Sequence, residues 1–511
     1  MRKFSILSFF LLITVITAVG RTISKKKPNI IIIYADDLGY GDVSCYNKDS
    51  KITTPNIDAL AKQGIQFMDA HAASTICSPS RYGILTGSYS WRTNRKSGNP
   101  KPGEQPWIDR GRTTIASMLK DNGYNTAAIG KWGLGADWNS AAKSSRKGLD
   151  ISADAIDYSK PVFAGKPIGF TYEAIHLWYG TKYFKKHYPC YDEPGSAGKF
   201  DGARWFFENG MSRDGDPKFA NFDMEKAQMY YIDKTVEYID VAGGTKQNIN
   251  FNLKQDAPFF IYYAPHIPHY PLVPAKQFQG KTTMGFYGDY IYELDWAVGQ
   301  IIKALKRNNL LENTIVIFAS DNGPEIQTYG YIKRYGHKSM AQFRGVKRDL
   351  YQGGHTTPFI VSYPGKFPVG KITNRLVSQT DILATIAQYL DIKVNNKYAE
   401  DSFSFLDELV EGVTVKQKRD FAIHHSSSGK LAIRKGDWVF INDKSGSTNK
   451  EPQWFLDNLG VKSHNEEFEL FNIKKDPQQT TNLVKKYPEK VDELRKDLFK
   501  YVYEGRTVMT K

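Results

Sequence analysis

Cysteine is scarce in this sequence of 511 residues: only Cys45, Cys77 and Cys190 occur. No disulfide framework can hold such a chain, so a large hydrophobic core must. Beyond residue 20 there is no apolar run of about 18 residues, which excludes a further membrane span and implies no stable membrane insertion after processing. Internal repeats and low-complexity tracts are also lacking. Acidic residues are in deficit, 54 against 69 Lys and Arg, which leaves a net charge of +15. That excess suits anionic partners, whether a polyanionic glycan, nucleic acid or a membrane surface, and does not choose among them.

The one apolar stretch is at the start. Arg2 and Lys3 precede an apolar run from Phe4 to Val15, and Ala18-Val19-Gly20 offers small residues for cleavage. Together these read as a secretory signal peptide over 1–20, pointing to a secreted or periplasmic protein, with an uncleaved anchor as the rival reading. Removing Arg2 and Lys3 with it leaves +13. If Cys77 is used chemically, Cys45 and Cys190 remain as a candidate pair.

Buried-type strands recur along the chain: Ile30 to Tyr34, Asn125 to Ile129, Pro258 to Tyr263, Thr314 to Ala319 and Pro358 to Tyr363. Helical spacing occurs over Thr54 to Ala61, Thr113 to Asn122, Tyr287 to Leu311 and Thr380 to Leu390. This predicts an α/β fold: a large mixed, mostly parallel sheet flanked by helices over 21–390, with a loose, aromatic-rich insert at about 136–255. Beyond residue 391 a hairpin-like pair at Lys430 to Ile441, a strand at Phe468 to Asn472 and a terminal helix from Lys486 predict a small α+β domain with a short antiparallel sheet.

Chemistry-bearing residues fall at strand ends, where open α/β sheets place ligands. Asp36-Asp37 follows the first strand and Ser320-Asp321-Asn322 a later one. Such paired oxygen donors stay ionised only beside a cation and suit calcium or magnesium. Lys131 projects from a Gly-rich turn, and Arg344 and Lys347 approach the same edge. His266 and His269 lie among three prolines. Cys77, in Cys77-Ser78-Pro79-Ser80-Arg81, precedes a segment from Ser80 to Leu85 that can open a helix, so a thiol would sit beside unpaired N–H groups and Arg81. Taken alone, that segment also fits a buried Cys beside a surface Arg.

Assembled, these stations resemble the type I sulfatases of the alkaline phosphatase superfamily. The matching pieces are Pro28-Asn29-Ile30 through Asp36-Asp37-Leu38-Gly39, Cys77-Ser78-Pro79-Ser80-Arg81 with Leu85-Thr86-Gly87, Gly130-Lys131-Trp132, His269-Tyr270-Pro271, Ser320-Asp321-Asn322-Gly323, and Lys347 followed by Tyr351-Gln352-Gly353-Gly354. The likeness extends to Glu469-Leu470-Phe471-Asn472 and so covers roughly residues 28 to 485.

The resemblance implies an alkaline phosphatase-like fold and oxidation of Cys77 to formylglycine, whose hydrate attacks sulfur. The partner that performs the oxidation would be a formylglycine-generating or anaerobic sulfatase-maturating enzyme. It further implies one calcium ion held by Asp36, Asp37, Asp321, Asn322 and the residue made from Cys77. Arg81, Lys131 and Lys347 would bind sulfate, and His269 would donate a proton to the leaving oxygen. The partner would be a sulfated carbohydrate rather than nucleic acid, with His337, Arg344 and His355 expected to touch the sugar. Where the family usually has His after Gly-Lys-Trp, this chain has Gly133, so His71 or water would serve as base in the last step. A phosphoester or phosphonate hydrolase, or a decayed glycan-binding protein, is the alternative reading.

Overall fold

A computed structural model describes residues 26–95, 98–100, 104–138, 160–177, 206–209, 211–212 and 224–508. Its strands, in chain order, are β1 (Asn29–Ala35), β2 (Ile65–Phe67), β3 (Ala70–His71), β4 (Asn125–Lys131), β5 (Tyr172–His176), β6 (Phe206–Glu208), β7 (Met211–Ser212), β8 (Phe259–Ala264), β9 (Thr314–Ser320), β10 (Phe359–Ser362), β11 (Lys371–Thr373), β12 (Val377–Ser378), β13 (Phe421–His425), β14 (Leu431–Lys435), β15 (Trp438–Ile441) and β16 (Glu469–Asn472).

Ten strands form one sheet in the order β11-β2-β10-β9-β1-β8-β4-β5-β6-β7. Its five central members, β9 to β5, are all parallel. The run Ile30 to Ile33 in β1 is fully buried because helices cover both faces, which is why its sequence does not alternate. Parallel neighbours bring their carboxyl ends to one edge. The register pairs Ala35 with Ser320, Ile33 with Tyr263 and Gly130 with Ala264. Asp36, Asp321, Lys131 and the segment after Ala264 therefore emerge side by side. At Gly130 the chain has φ +110° and a Cβ would lie 2.1 Å from the Ala264 carbonyl oxygen, so only glycine allows the close approach that sets Lys131 at this edge.

β10 runs antiparallel to β9. Residues preceding it, including Lys347, can reach the catalytic edge for that reason; before a parallel strand they would enter at the opposite end. The expected loose insert also contributes to the sheet, since β5 pairs with β4 and the helix Met224–Ala242 lies within it. The aromatic residues Trp178, Tyr179, Tyr183, Phe184, Tyr188 and Trp205 lie outside the described residues.

The second sheet, β13-β14-β15-β16, is antiparallel throughout. Val491, Leu494 and Leu498 of the helix Pro488–Tyr503 cover it against Phe421, Ile423, Ile433 and Phe440. Buried ion pairs fasten this unit to the larger one: Arg419 on Asp381 at 2.7 Å and Arg344 on Glu451 at 2.7 Å. Among the described residues, no helix is long and apolar enough to cross a membrane.

One buried acid stands apart from this pairing. Glu293, on the helix Gly285–Arg307, accepts the Ala275 N–H at 2.9 Å through Oε2, while its Oε1 is buried without a hydrogen bond. Burial pushes its carboxyl from the ordinary 4.5 up to about 8. The folded protein thus keeps a proton that the unfolded chain releases, and stability is lost as pH rises from about 4.5 to about 8. Glu293→Gln should therefore melt roughly 2–4 °C above wild type at pH 8 and level with it at pH 4 in parallel thermal scans.

Candidate active site

The site is built from strand ends. Asp36 follows β1, is fully buried, and takes the Lys131 Nζ from the end of β4 at 2.6 Å on Oδ2. Asp37 has φ +63°, which turns its carboxylate away from that of Asp36. It receives Lys347 Nζ at 2.7 Å on Oδ1 and 2.8 Å on Oδ2, and Asn322 Nδ2 at 2.7 Å. The Asp37 N–H donates to Asp321 Oδ1 at 3.1 Å, joining the two strand ends directly.

Cys77 is the first residue of helix α2 (Cys77–Thr86) and is 2% exposed. Pro79 is accommodated because the first turn needs no N–H from it. The Cys77 thiol donates to Asn99 Oδ1 at 3.3 Å, and the Ser78 N–H reaches the same oxygen at 3.4 Å. One turn on, the wholly buried Arg81 donates from Nη2 to Asp321 Oδ2 at 2.7 Å and from Nη1 to the Lys131 carbonyl and the Tyr262 hydroxyl, each at 3.3 Å. Sγ of Cys77 and one carboxylate oxygen each of Asp36 and Asp321 lie within 4.8 Å of one another.

His266 and His269 close the cluster from the segment after β8. His266 Nε2 stands 3.6 Å from Asp36 Oδ2 and His269 Nε2 3.7 Å from Asp37 Oδ2. His269 Nδ1 is 2.6 Å from the Tyr270 carbonyl, which can only accept, so the hydrogen of the neutral ring sits on Nδ1 and Nε2 faces the carboxylates as a lone pair. Burial first, and then the Lys131 and Lys347 ammonium groups, hold this imidazole well below its ordinary value.

The donor set fits a hard divalent cation. Two buried oxygens in it, Asp36 Oδ1 and Asn322 Oδ1, accept no hydrogen bond. Burial opposes the Asp36 charge, and Lys131, His269 and Arg81 outweigh it, holding that carboxyl well below the usual carboxylate range. Asp321 goes the other way: burial and the neighbouring Asp36 push it up to about 7 despite Arg81. An additional positive centre among these oxygens removes that conflict, and carboxylate and amide oxygens are what calcium or magnesium takes.

The structure brings Cys77, Arg81, Lys131, His269, Lys347, Asp36, Asp37, Asp321 and Asn322 together. The expected sugar contacts, His337, Arg344 and His355, are each engaged by partners inside the protein. His337 is fully buried, donating from Nε2 to Asp42 Oδ1 at 2.7 Å and accepting the Lys51 N–H. Arg344 is committed to Glu451 and the Gln479 carbonyl and lies over the Tyr351 ring. His355 is fully buried against His71 and the Leu350 carbonyl, so His71 too is engaged away from Cys77. Cys45 carries a free thiol, and Cys190 lies outside the described residues. Sequence reasoning missed Asn99, the partner of the Cys77 thiol, because it lies in a Gly/Pro-rich loop with no pattern to single it out.

A buried cluster of cations and oxygen donors around a helix-terminal cysteine, at the carboxyl edge of a mostly parallel sheet, defines an ester hydrolase for a tetrahedral oxyanion. The family model "Sulfatase" matches residues 28–392, and the chain belongs to that family. It is a sulfuric ester hydrolase. A Bacteroides thetaiotaomicron N-acetylgalactosamine-6-O-sulfatase is 33% identical over 489 residues, covering 92% of each chain. Human arylsulfatase A is 30% identical, covering 90% of this chain and 84% of its own length. A solved Bacteroides thetaiotaomicron structure, described in connection with metabolism of multiple glycosaminoglycans, superposes with a TM-score of 0.73 at 29% identity and covers 93% of this chain and 99% of its own.

Proposed function

We propose that this sulfatase hydrolyses sulfate esters of a sulfated carbohydrate, a polysaccharide or an oligosaccharide derived from it, outside the cytoplasm. The observation that carries the reading is the grouping of Cys77 Sγ, Asp36 and Asp321 within 4.8 Å, with Arg81 and Lys131 on their carboxylates. In this reading Cys77 is oxidised to formylglycine by a formylglycine-generating or anaerobic maturating enzyme, and Asp36, Asp37, Asp321 and Asn322 hold one calcium ion beside it. The aldehyde hydrate supplies the nucleophile, and the ion acidifies a hydroxyl and offsets charge on a sulfate oxygen.

The chain's own residues then divide the work. Arg81, Lys131 and Lys347 receive the sulfate oxygens and keep the carboxylates in place. His269, once the sulfate charge has offset the two ammonium groups near it, carries a proton on Nε2 to the leaving sugar oxygen. Gly133 has φ +69°, and a Cβ there would meet Ser78 Oγ at 3.4 Å and Arg81 Cδ at 3.5 Å, so this position borders the site without filling it. The signal peptide over 1–20, the catalytic domain over 21–390 and the C-terminal subdomain over 391–511 complete the proposed organisation. Among sugars, galactose or N-acetylgalactosamine units are favoured, and the 33% identical N-acetylgalactosamine-6-O-sulfatase supports the 6-O-sulfate.

A desulfation screen of the matured enzyme on defined sulfated saccharides tests this. Release of sulfate from galactosamine 6-O-sulfates is expected, and turnover of phosphoesters alone would overturn it. His269→Ala should lower kcat on a sugar sulfate about 10²–10³-fold but on an aryl sulfate less than about 10-fold, because a phenolate leaves without a proton. Equal losses on both would remove the acid role.

A further inference from the structure

A second group of buried histidines, none of them among the residues gathered on Cys77, lies where the C-terminal sheet meets the larger unit, beside the two-stranded sheet β12-β3. His71 is on β3, His355 follows the turn Gln352–Gly354, and His424 is on β13. The first two are fully buried and the third is 2% exposed. One ring nitrogen from each lies within 4.8 Å of the others.

The hydrogen bonds around them fix much of the proton placement. His355 Nε2 is 3.2 Å from the Leu350 carbonyl, so it carries the hydrogen and leaves Nδ1 as a lone pair. His71 Nε2 is 2.9 Å from Asp69 Oδ1, and Asp69 is braced by the Arg434 guanidinium, whose Nη1 also stands 2.9 Å from that nitrogen. Arg434 Nη1 can only donate, so His71 Nε2 either accepts from it with the ring hydrogen on Nδ1, or gives its hydrogen to Asp69, which leaves Nδ1 as a lone pair. The two Nδ1 atoms are 2.9 Å apart. In the second arrangement two lone pairs face each other at that separation and repel unless a positive centre sits between them. A ring that gives its outer N–H to a carboxylate or a backbone carbonyl, and turns its other nitrogen inward, is the usual arrangement of a metal-bound imidazole.

His424 adds an independent observation. Both of its ring nitrogens are buried without a hydrogen bond, which is costly if nothing meets them. Its ring lies flat on His355, with centroids 3.6 Å apart and planes 10° apart. No hydrogen bond ties either nitrogen to another partner, and one of them already lies within the 4.8 Å group. Burial keeps all three imidazoles below their ordinary value, hence neutral and able to ligate.

We propose that His71, His355 and His424 bind a borderline transition-metal ion, zinc(II) in the first place, which clamps the C-terminal sheet to the larger unit through the two-stranded sheet β12-β3 and the turn that ends at His355. Nitrogens 2.9 Å apart can both reach one ion at about 2.0–2.1 Å. Thr356 Oγ1, 3.5 Å from His71 Nδ1, or a water supplies the fourth position.

The test uses the full-length protein saturated with calcium, supplied with zinc and passed through a desalting column before metal analysis. Wild type should retain one zinc per chain and melt several degrees higher than the zinc-free form. His424→Ala and His424→Gln should lose that zinc and the shift, whereas Asp321→Ala should keep both, separating this site from the catalytic one. Cobalt(II) in place of zinc should give the visible absorption of a nitrogen-bound, four-coordinate ion in wild type. A wild type that keeps no zinc and shows no such band overturns the proposal whatever the variants do, and means that a shared proton lies between the Nδ1 atoms. Retention of the zinc by both His424 variants overturns it too.

Discussion

Cys77→Ala is expected to release sulfate at least about 10⁴-fold more slowly than wild type, with a melting temperature within about 3 °C. The two halves of that result rest on different features. Turnover is lost because the alanine at position 77 cannot be oxidised to an aldehyde. The fold is kept because the sulfur contributes little to packing: the thiol makes one hydrogen bond, to Asn99, and the ion pairs of Arg81 with Asp321 and Lys131 with Asp36 do not pass through it. Near-normal rates in this variant would exclude Cys77 as the source of the nucleophile. Intact mass spectrometry supplies the companion result. Wild-type protein made alongside a maturating enzyme should carry the aldehyde at position 77, and active protein with an unmodified thiol would contradict the same assignment.

How far the sequence could be read depends on whether local pattern or distant partners decide a feature. The unbroken apolar runs at Ile30 to Tyr34, Pro258 to Tyr263 and Thr314 to Ala319 became β1, β8 and β9, because burial on both faces leaves that signature in the residues themselves. Asp36, Lys131 and Asp321 could be placed at one edge from the parallel-sheet rule alone. The direction of β10 could not, since an apolar run does not encode which way its neighbour runs. Helix α2 begins at Cys77 rather than at Ser80, so the thiol belongs to the first turn itself instead of preceding it. The surroundings of the expected sugar contacts were not legible for a related reason. His337, Arg344 and His355 are polar residues near the correct edge, but Asp42, Glu451 and His71, far away in sequence, hold them inside the protein. Residue type near an edge predicts a ligand contact only when nothing within the fold satisfies the group first.

Removal of the divalent cation should abolish turnover while leaving the protein folded. In the cluster the carboxylates do not depend on one partner: Asp36 is held by Lys131 at 2.6 Å, Asp37 by Lys347 at 2.7 Å and Asp321 by Arg81 at 2.7 Å. Three buried cations thus balance three carboxylates, so chelation leaves no net charge stranded in the interior, which is the situation that costs several kcal/mol when a buried pair is broken. What chelation does leave is Asp36 Oδ1 and Asn322 Oδ1 without a hydrogen bond, and, on the proposed mechanism, an aldehyde hydrate with no cation to acidify it. EGTA-treated enzyme is therefore expected to lose at least about 10³-fold in kcat, to shift by less than about 5 °C in melting temperature, and to recover fully on addition of calcium. Magnesium should restore less, because its near-octahedral demand suits a site of four protein residues poorly when three of its oxygens are already fixed by lysines. Undiminished turnover in calcium-free enzyme would remove the cation from the mechanism. Global unfolding on chelation would show instead that the three ion pairs do not suffice to hold Asp36, Asp37 and Asp321 in place.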